Sequence, residues 1–108
     1  MITLGSLDSP EFLYERVKSA VSGADDGKGV LILVDLFGGT PSRVAAQLLS
    51  EGFKVEVVSG VNLPMLVEIA MQRDKTAREL AEIAVKTGVE GIVDIGERVR
   101  KALGKSTN

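Results

Sequence analysis

Val30 to Arg43 reads V-L-I-L-V-D-L-F-G-G-T-P-S-R, and the rest of the chain is organised around it. Its first five residues are apolar on both faces, β-branched residues alternate with leucine, and Gly38-Gly39 follows four residues on. Such a run suits a parallel strand covered on both sides rather than a half-exposed one. Asp35 stands at the carboxyl end, then Leu36 and Phe37, then the glycine pair. Thr40 is expected to cap the next helix and Pro41 to occupy its first position, where a missing N–H costs nothing. The predicted unit is a strand, a glycine turn and a helix start, with one carboxylate at the strand tip.

In open α/β sheets, ligands bind beyond the carboxyl ends of the strands. Unpaired N–H groups at the glycine turn and helix start can there face an anion, and an Asp can orient a neighbouring side chain. The same residues also satisfy plain turn geometry, so both readings stay open on the motif alone.

The chain has 108 residues, of which 44% are hydrophobic, enough for the core of one domain. The net charge is −2 with the signs intermixed, which gives no basic face for nucleic acid or an anionic membrane. There is no cysteine, hence no disulfide and no thiol chemistry. There is no histidine, so these residues hold no imidazole to act as base, metal ligand or phosphoryl carrier. No metal site and no cofactor are expected. With no secretory signal and no apolar run long enough to span a bilayer, the expected location is the cytoplasm.

Around the central stretch, Met1–Leu4 is a candidate strand. Ser9, Pro10 and Glu11 announce a helix whose buried stripe is Phe12, Leu13, Val17, Ala20 and Val21. Asp25 and Asp26 belong to a solvated turn. The helix from Pro41 to about Glu51 buries Val44, Ala45, Leu48 and Leu49, with Gly52 as its stop. Lys54 to Ser59 reads as a second strand. Gly60-Val-Asn62-Leu-Pro64 then repeats the plan of glycine turn and capped helix, with Asn62 as cap and Met65, Leu66, Ile69 and Ala70 inward over Leu63 to Gln72. Thr76 and Glu79 form a capping box for a helix to about Thr87, ended by Gly88. Its inward residues are Ala77, Leu80, Ala81, Ile83 and Ala84. A short strand is expected around Ile92–Ile95, a terminal helix over Glu97–Leu103, and fraying beyond Gly104. This alternation predicts an α/β fold, an open and mainly parallel sheet between two helical layers. Two strand-end turns would then bring Asn62 and the Asp35 loop to one rim.

Val30–Ser42 and Val58–Leu66 (V-S-G-V-N-L-P-M-L) together resemble the mannose/fructose-type IIA component of the bacterial sugar phosphotransferase system, and Gly88–Asp94 is similar to that family's last strand. The resemblance covers nearly all of the chain. It implies a single IIA-type domain over residues 1–108 and a homodimer in which the strand near Ile92–Ile95 is exchanged. It also implies a phosphoryl relay during sugar uptake, from the phosphocarrier protein HPr to a IIB component by way of a histidine. Asp35 matches the residue that hydrogen-bonds that histidine and fixes its tautomer. Thr40 matches a hydroxyl beside the phosphoryl group, and the amides of Gly38, Gly39 and Thr40 would steady its charge together with Asn62.

The chain departs from the pattern in two ways. The family's first strand, its phospho-accepting histidine and its first helix have no counterpart here, and Arg43 stands where many relatives carry asparagine. The expectations are that the chain accepts no phosphoryl group by itself, and that the sheet rearranges or another chain fills the gap. A histidine-bearing partner piece, or a binding or oligomerisation module without phosphoryl chemistry, are the alternative readings.

Overall fold

The computed structural model describes residues 10–24 and 26–104. The candidate strand Met1–Leu4, the Ser9 cap, Asp25 and the last four residues lie outside them. The order is α1 (Pro10–Ala24), β1 (Val30–Val34), α2 (Thr40–Ser50), β2 (Val55–Ser59), α3 (Leu63–Ala70), α4 (Ala77–Glu90) and α5 (Ile95–Ala102).

β1 and β2 pair in parallel, Val30 opposite Val55 through Val34 opposite Ser59, and form the one sheet among the described residues. All five residues of β1 are buried, as an all-apolar run requires. Side chains alternate across a strand, so Val30, Ile32 and Val34 face one helical layer and Leu31 and Leu33 the other. On the first side they join Leu13, Val17 and Val21 of α1 and Val44, Ala45 and Leu48 of α2. On the second they join Met65 and Ile69 of α3 and Ala81 and Ala84 of α4. The sandwich of two helical layers about a parallel sheet is therefore present, and among the described residues that sheet has two strands.

A two-strand sheet gives each helix a narrow seat, and the buried stripes are correspondingly narrow. α1 buries Leu13, Val17 and Val21, one residue per turn, whereas Phe12 and Ala20 are exposed. Leu49 and Ala70, also expected inside, are exposed, and Leu66, Leu80 and Ile83 are half-buried.

Several boundaries differ from the sequence reading. α2 begins one residue early: Arg43 N–H donates to the Gly39 carbonyl at 3.0 Å, which makes Gly39 the cap and Thr40 the first helical residue. Pro41 follows at the second position, again with no hydrogen bond to lose. Gly52, at φ +87°, sits just past the Glu51 cap as expected. α3 stops at Ala70, two residues short. Gly88 does not end α4, which runs to Glu90 with Gly91 as its cap.

The expected strand at Ile92–Ile95 is absent from the single chain. Residues 92–94 are irregular, and the Asp94 carboxylate accepts a hydrogen bond from Glu97 N–H at 2.9 Å, capping a helix that starts at Ile95. α5 buries none of its residues. Ile92, Ile95, Val99 and Leu103 stay exposed, Ile95 and Val99 on α5 and Ile92 and Leu103 just outside its two ends.

Candidate functional site

Two turns leave the carboxyl end of the sheet. The first follows β1: Asp35, Leu36 and Phe37 are exposed, Phe37 by 83%, before Gly38 and Gly39 lead into α2. Gly38 has φ +103°, a conformation costly to any residue with a Cβ, which explains the glycine. Gly39 is extended at φ −84° and ψ 177° and offers the helix no side-chain cap. The N–H groups of Gly39, Thr40 and Ser42 therefore have no partner within α2, and Pro41 has none to offer. The positive end of α2 and these amides follow Asp35 by four residues, in the turn that leaves β1.

The second turn follows β2. Val61 N–H donates to the Val34 carbonyl at 3.2 Å, which ties this turn to the end of β1 and sets both on one rim. Asn62 caps α3, its Oδ1 accepting from Met65 N–H at 3.1 Å. Its Nδ2 donates to the Gly88 carbonyl in α4 at 2.9 Å. The half-buried Asn62 side chain is thus a strap between two helices, with both of its polar atoms occupied.

Gly88 and Gly91 make that strap possible, although Gly88 reads in the sequence as a helix stop and Gly91 as the start of the last strand. A Cβ on Gly88 would lie 2.8 Å from Met65 Cε, and one on Gly91 would lie 2.6 Å from Pro64 Cγ. α4 therefore presses bare backbone against the start of α3. Two glycines three apart inside a helical pattern are the signal that reveals this contact.

Thr40 lines a hollow of about 400 Å³ between α1 and α2, together with Arg43, Tyr14 and Glu11; Asp35 and Asn62 do not line it. Tyr14 Oη donates to Glu51 Oε1 at 2.5 Å, and this bond, burial and the nearby carboxylates raise the phenol above its ordinary value. Across the molecule, the Thr76 backbone N–H and hydroxyl donate to Glu79 Oε1, at 3.1 and 2.9 Å. They hold its carboxyl below the ordinary glutamate value, aided by Lys75 and Lys28. Among the described residues, no group of three or more Asp or Glu is placed to hold a metal ion. No helix among them is long and apolar enough to cross a membrane.

The family profile for the PTS system fructose IIA component matches residues 1–86. The chain is 41% identical over 87 residues to the PTS system mannose-specific EIIAB component of Escherichia coli K12, covering 79% of this chain and 27% of that protein. It is 32% identical over 92 residues to the sorbose-specific EIIA component of Lacticaseibacillus casei, covering 82% of this chain and 67% of that one. Among solved structures it is similar to the phosphotransferase system component EIIA from Streptococcus agalactiae. That match has a TM-score of 0.73 and 33% identity, over 83% of this chain and 70% of the other. The chain thus spans about a quarter of the mannose-specific relative and two thirds of the sorbose-specific one.

Proposed function

On the premise that this chain belongs to the phosphotransferase system IIA family of the mannose/fructose/sorbose type, we propose that it is a single IIA-type domain. It supplies the supporting half of a cytoplasmic phosphoryl relay from HPr to a IIB component. No histidine occurs in the chain, so the phosphoryl-carrying imidazole comes from residues outside this sequence.

What supports the reading is that the exposed Asp35, directly after β1, stands four residues before the uncapped start of α2. A carboxylate accepting from one ring N–H fixes the imidazole tautomer and leaves the other nitrogen free to attack phosphorus. Transfer then develops negative charge on the phosphoryl oxygens, which the amides of Gly39 and Thr40 and the helix dipole stabilise. The Thr40 hydroxyl is a further donor, and the permissive backbone of Gly38 sets the turn. Asn62 contributes by fixing the adjacent rim, since its amide is already bound to Gly88.

Leu36, Phe37 and Leu63 are exposed around this rim and provide apolar surface on which HPr and IIB can dock. Two copies of the chain associate through the exposed apolar residues from Ile92 to Leu103.

The test is titration of the ¹⁵N-labelled chain with HPr, followed by mixing with phosphorylated HPr. Amides from Asp35 to Thr40 and around Leu63 shift on binding, and mass spectrometry finds no stable phosphate on the chain. Unmoved turn amides, or a phosphate that stays on this chain alone, would overturn the proposal.

A further inference from the structure

A hollow of about 380 Å³ opens at the opposite end of the sheet, where β1 begins. Val30 and Leu31 line it, whereas the Asp35 turn leaves from Val34, roughly 13 Å along the strand. Its floor is apolar: Leu31, Leu66, Ile69 and Leu80 come from β1, α3 and α4. Its rim carries three cations, Lys28, Arg73 and Lys75, against one lining carboxylate, Asp26. Cations thus outnumber carboxylates among the lining side chains, and since Glu79 also faces Lys28 and Lys75, Arg73 is the cation left for an anion.

The rim is braced. Ala77 N–H donates to the Lys28 carbonyl at 2.9 Å, which ties the loop before α4 to the loop before β1. Lys28 Nζ donates to the Asp74 carbonyl at 3.1 Å, and the Asp26 carboxylate accepts from Lys28 N–H. The three cations are thereby held on two linked loops around one opening.

We propose that this hollow binds a small amphipathic anion, a phosphate monoester with a compact aromatic or branched apolar body. A volume near 380 Å³ lies at the lower end of the range for small-molecule sites. An apolar body displaces water from the leucine and isoleucine floor, while the anionic head meets Arg73 at the rim. Arg73 offers a planar fork that matches two phosphate oxygens. A free sugar fits poorly, because its hydroxyls would lose water without gaining partners on that floor. The site is separate from the phosphoryl-relay rim, and its occupancy does not depend on the imidazole.

The probe is phenyl phosphate, titrated into the ¹⁵N-labelled chain beside inorganic phosphate and phenol. Phenyl phosphate shifts the amides of residues 28–31 and 66–75, and binds at least tenfold more tightly than either half-molecule. R73E/K75E weakens it at least tenfold and R73Q by a smaller factor, with the amide spectrum otherwise native. Equal binding of inorganic phosphate would reduce the site to surface cations. Equal binding of phenol, insensitive to R73E/K75E, would reduce it to an apolar crevice. Concentration-dependent shifts of the same amides without any probe would show that another chain already fills it. Each of these three results, or no shift at all, overturns the proposal.

Discussion

The two turns at the carboxyl end of the sheet share one plan, yet they have opposite characters. Both run from a parallel strand through a glycine to a helix with proline in its first turn. The turn after β2 is closed: Asn62 caps α3, straps α4 through Gly88, and sits over helices packed with no room for a Cβ. The turn after β1 is open: its cap is a glycine, its amides are uncommitted, and Asp35, Leu36 and Phe37 face solvent. Hydrogen-bonding capacity spent internally stabilises a turn, and capacity left unspent is what a ligand or partner can use. The contrast gives stability to one turn and leaves the other with the free groups that the proposed chemistry needs.

The largest effect should come from filling the space behind the closed turn. Gly88→Val places carbon where Met65 Cε already lies 2.8 Å from an ideal Cβ, and it crowds Asn62. α3 and α4 then have to separate, at a cost of about 3 kcal/mol. A thermal melt should show a fall of more than about 10 °C. A melt unchanged by this variant would break the comparison at its root. Next comes Asn62→Ala, which removes the cap of α3 and leaves the Gly88 carbonyl half-buried without its partner. About 1 to 2 kcal/mol of stability should be lost in urea unfolding, with HPr binding at the open turn retained.

The same contrast shows what could be read from the residues alone. The apolar run Val30–Val34, the T-x-x-E box at Thr76 and the two strand-end turns are local signals, and each appears where its chemistry requires. Position within a turn was also legible: Gly52 and Asn62 do what their side chains, or lack of one, dictate. Less could be read where tertiary contacts override local preference. Gly88 reads as a stop because an isolated helix would fray there, but packing against Met65 and the bond from Asn62 carry α4 through it. Ile92–Ile95 reads as a strand because of its β-branched residues, but without a neighbouring strand that propensity has nothing to pair with. Residues 92–94 therefore stay irregular, and the Asp94 cap starts a helix at Ile95. The role of Asn62 as a strap was out of reach for the same reason, since its partner lies 26 residues away.

A smaller effect is expected at Glu79, away from both turns, and it provides a control for helix capping by itself. Its carboxyl is held below the ordinary value by the hydrogen bonds from Thr76. The folded state therefore favours the charged form, and that contribution is fully present above the unfolded glutamate value, near 4.3. It is lost as pH falls through the lowered folded value. Glu79→Gln keeps an acceptor for the capping box but removes the titration. Stability measured between pH 6 and pH 3 should therefore fall less steeply in the variant than in the parent chain. Identical slopes would mean that the box does not discriminate between protonation states.

The smallest change in stability is expected at the open turn, where it sharpens the contrast most. Gly39→Ser is compatible with the backbone there, since φ is negative and a Cβ would meet Pro41 Cδ only at an ordinary 3.7 Å. The serine hydroxyl can accept from an N–H of the first turn of α2, and it should stabilise the chain by a few tenths of a kcal/mol. That gain commits an amide that the open turn otherwise leaves for an anion or a partner. HPr binding should weaken by a small factor as the melting temperature rises. Asp35→Asn should leave the melt unchanged, because the exposed carboxylate caps nothing. If Gly39→Ser raised stability and tightened HPr binding together, the free amides would have no share in recognition, and the division between a holding turn and a working turn would fail.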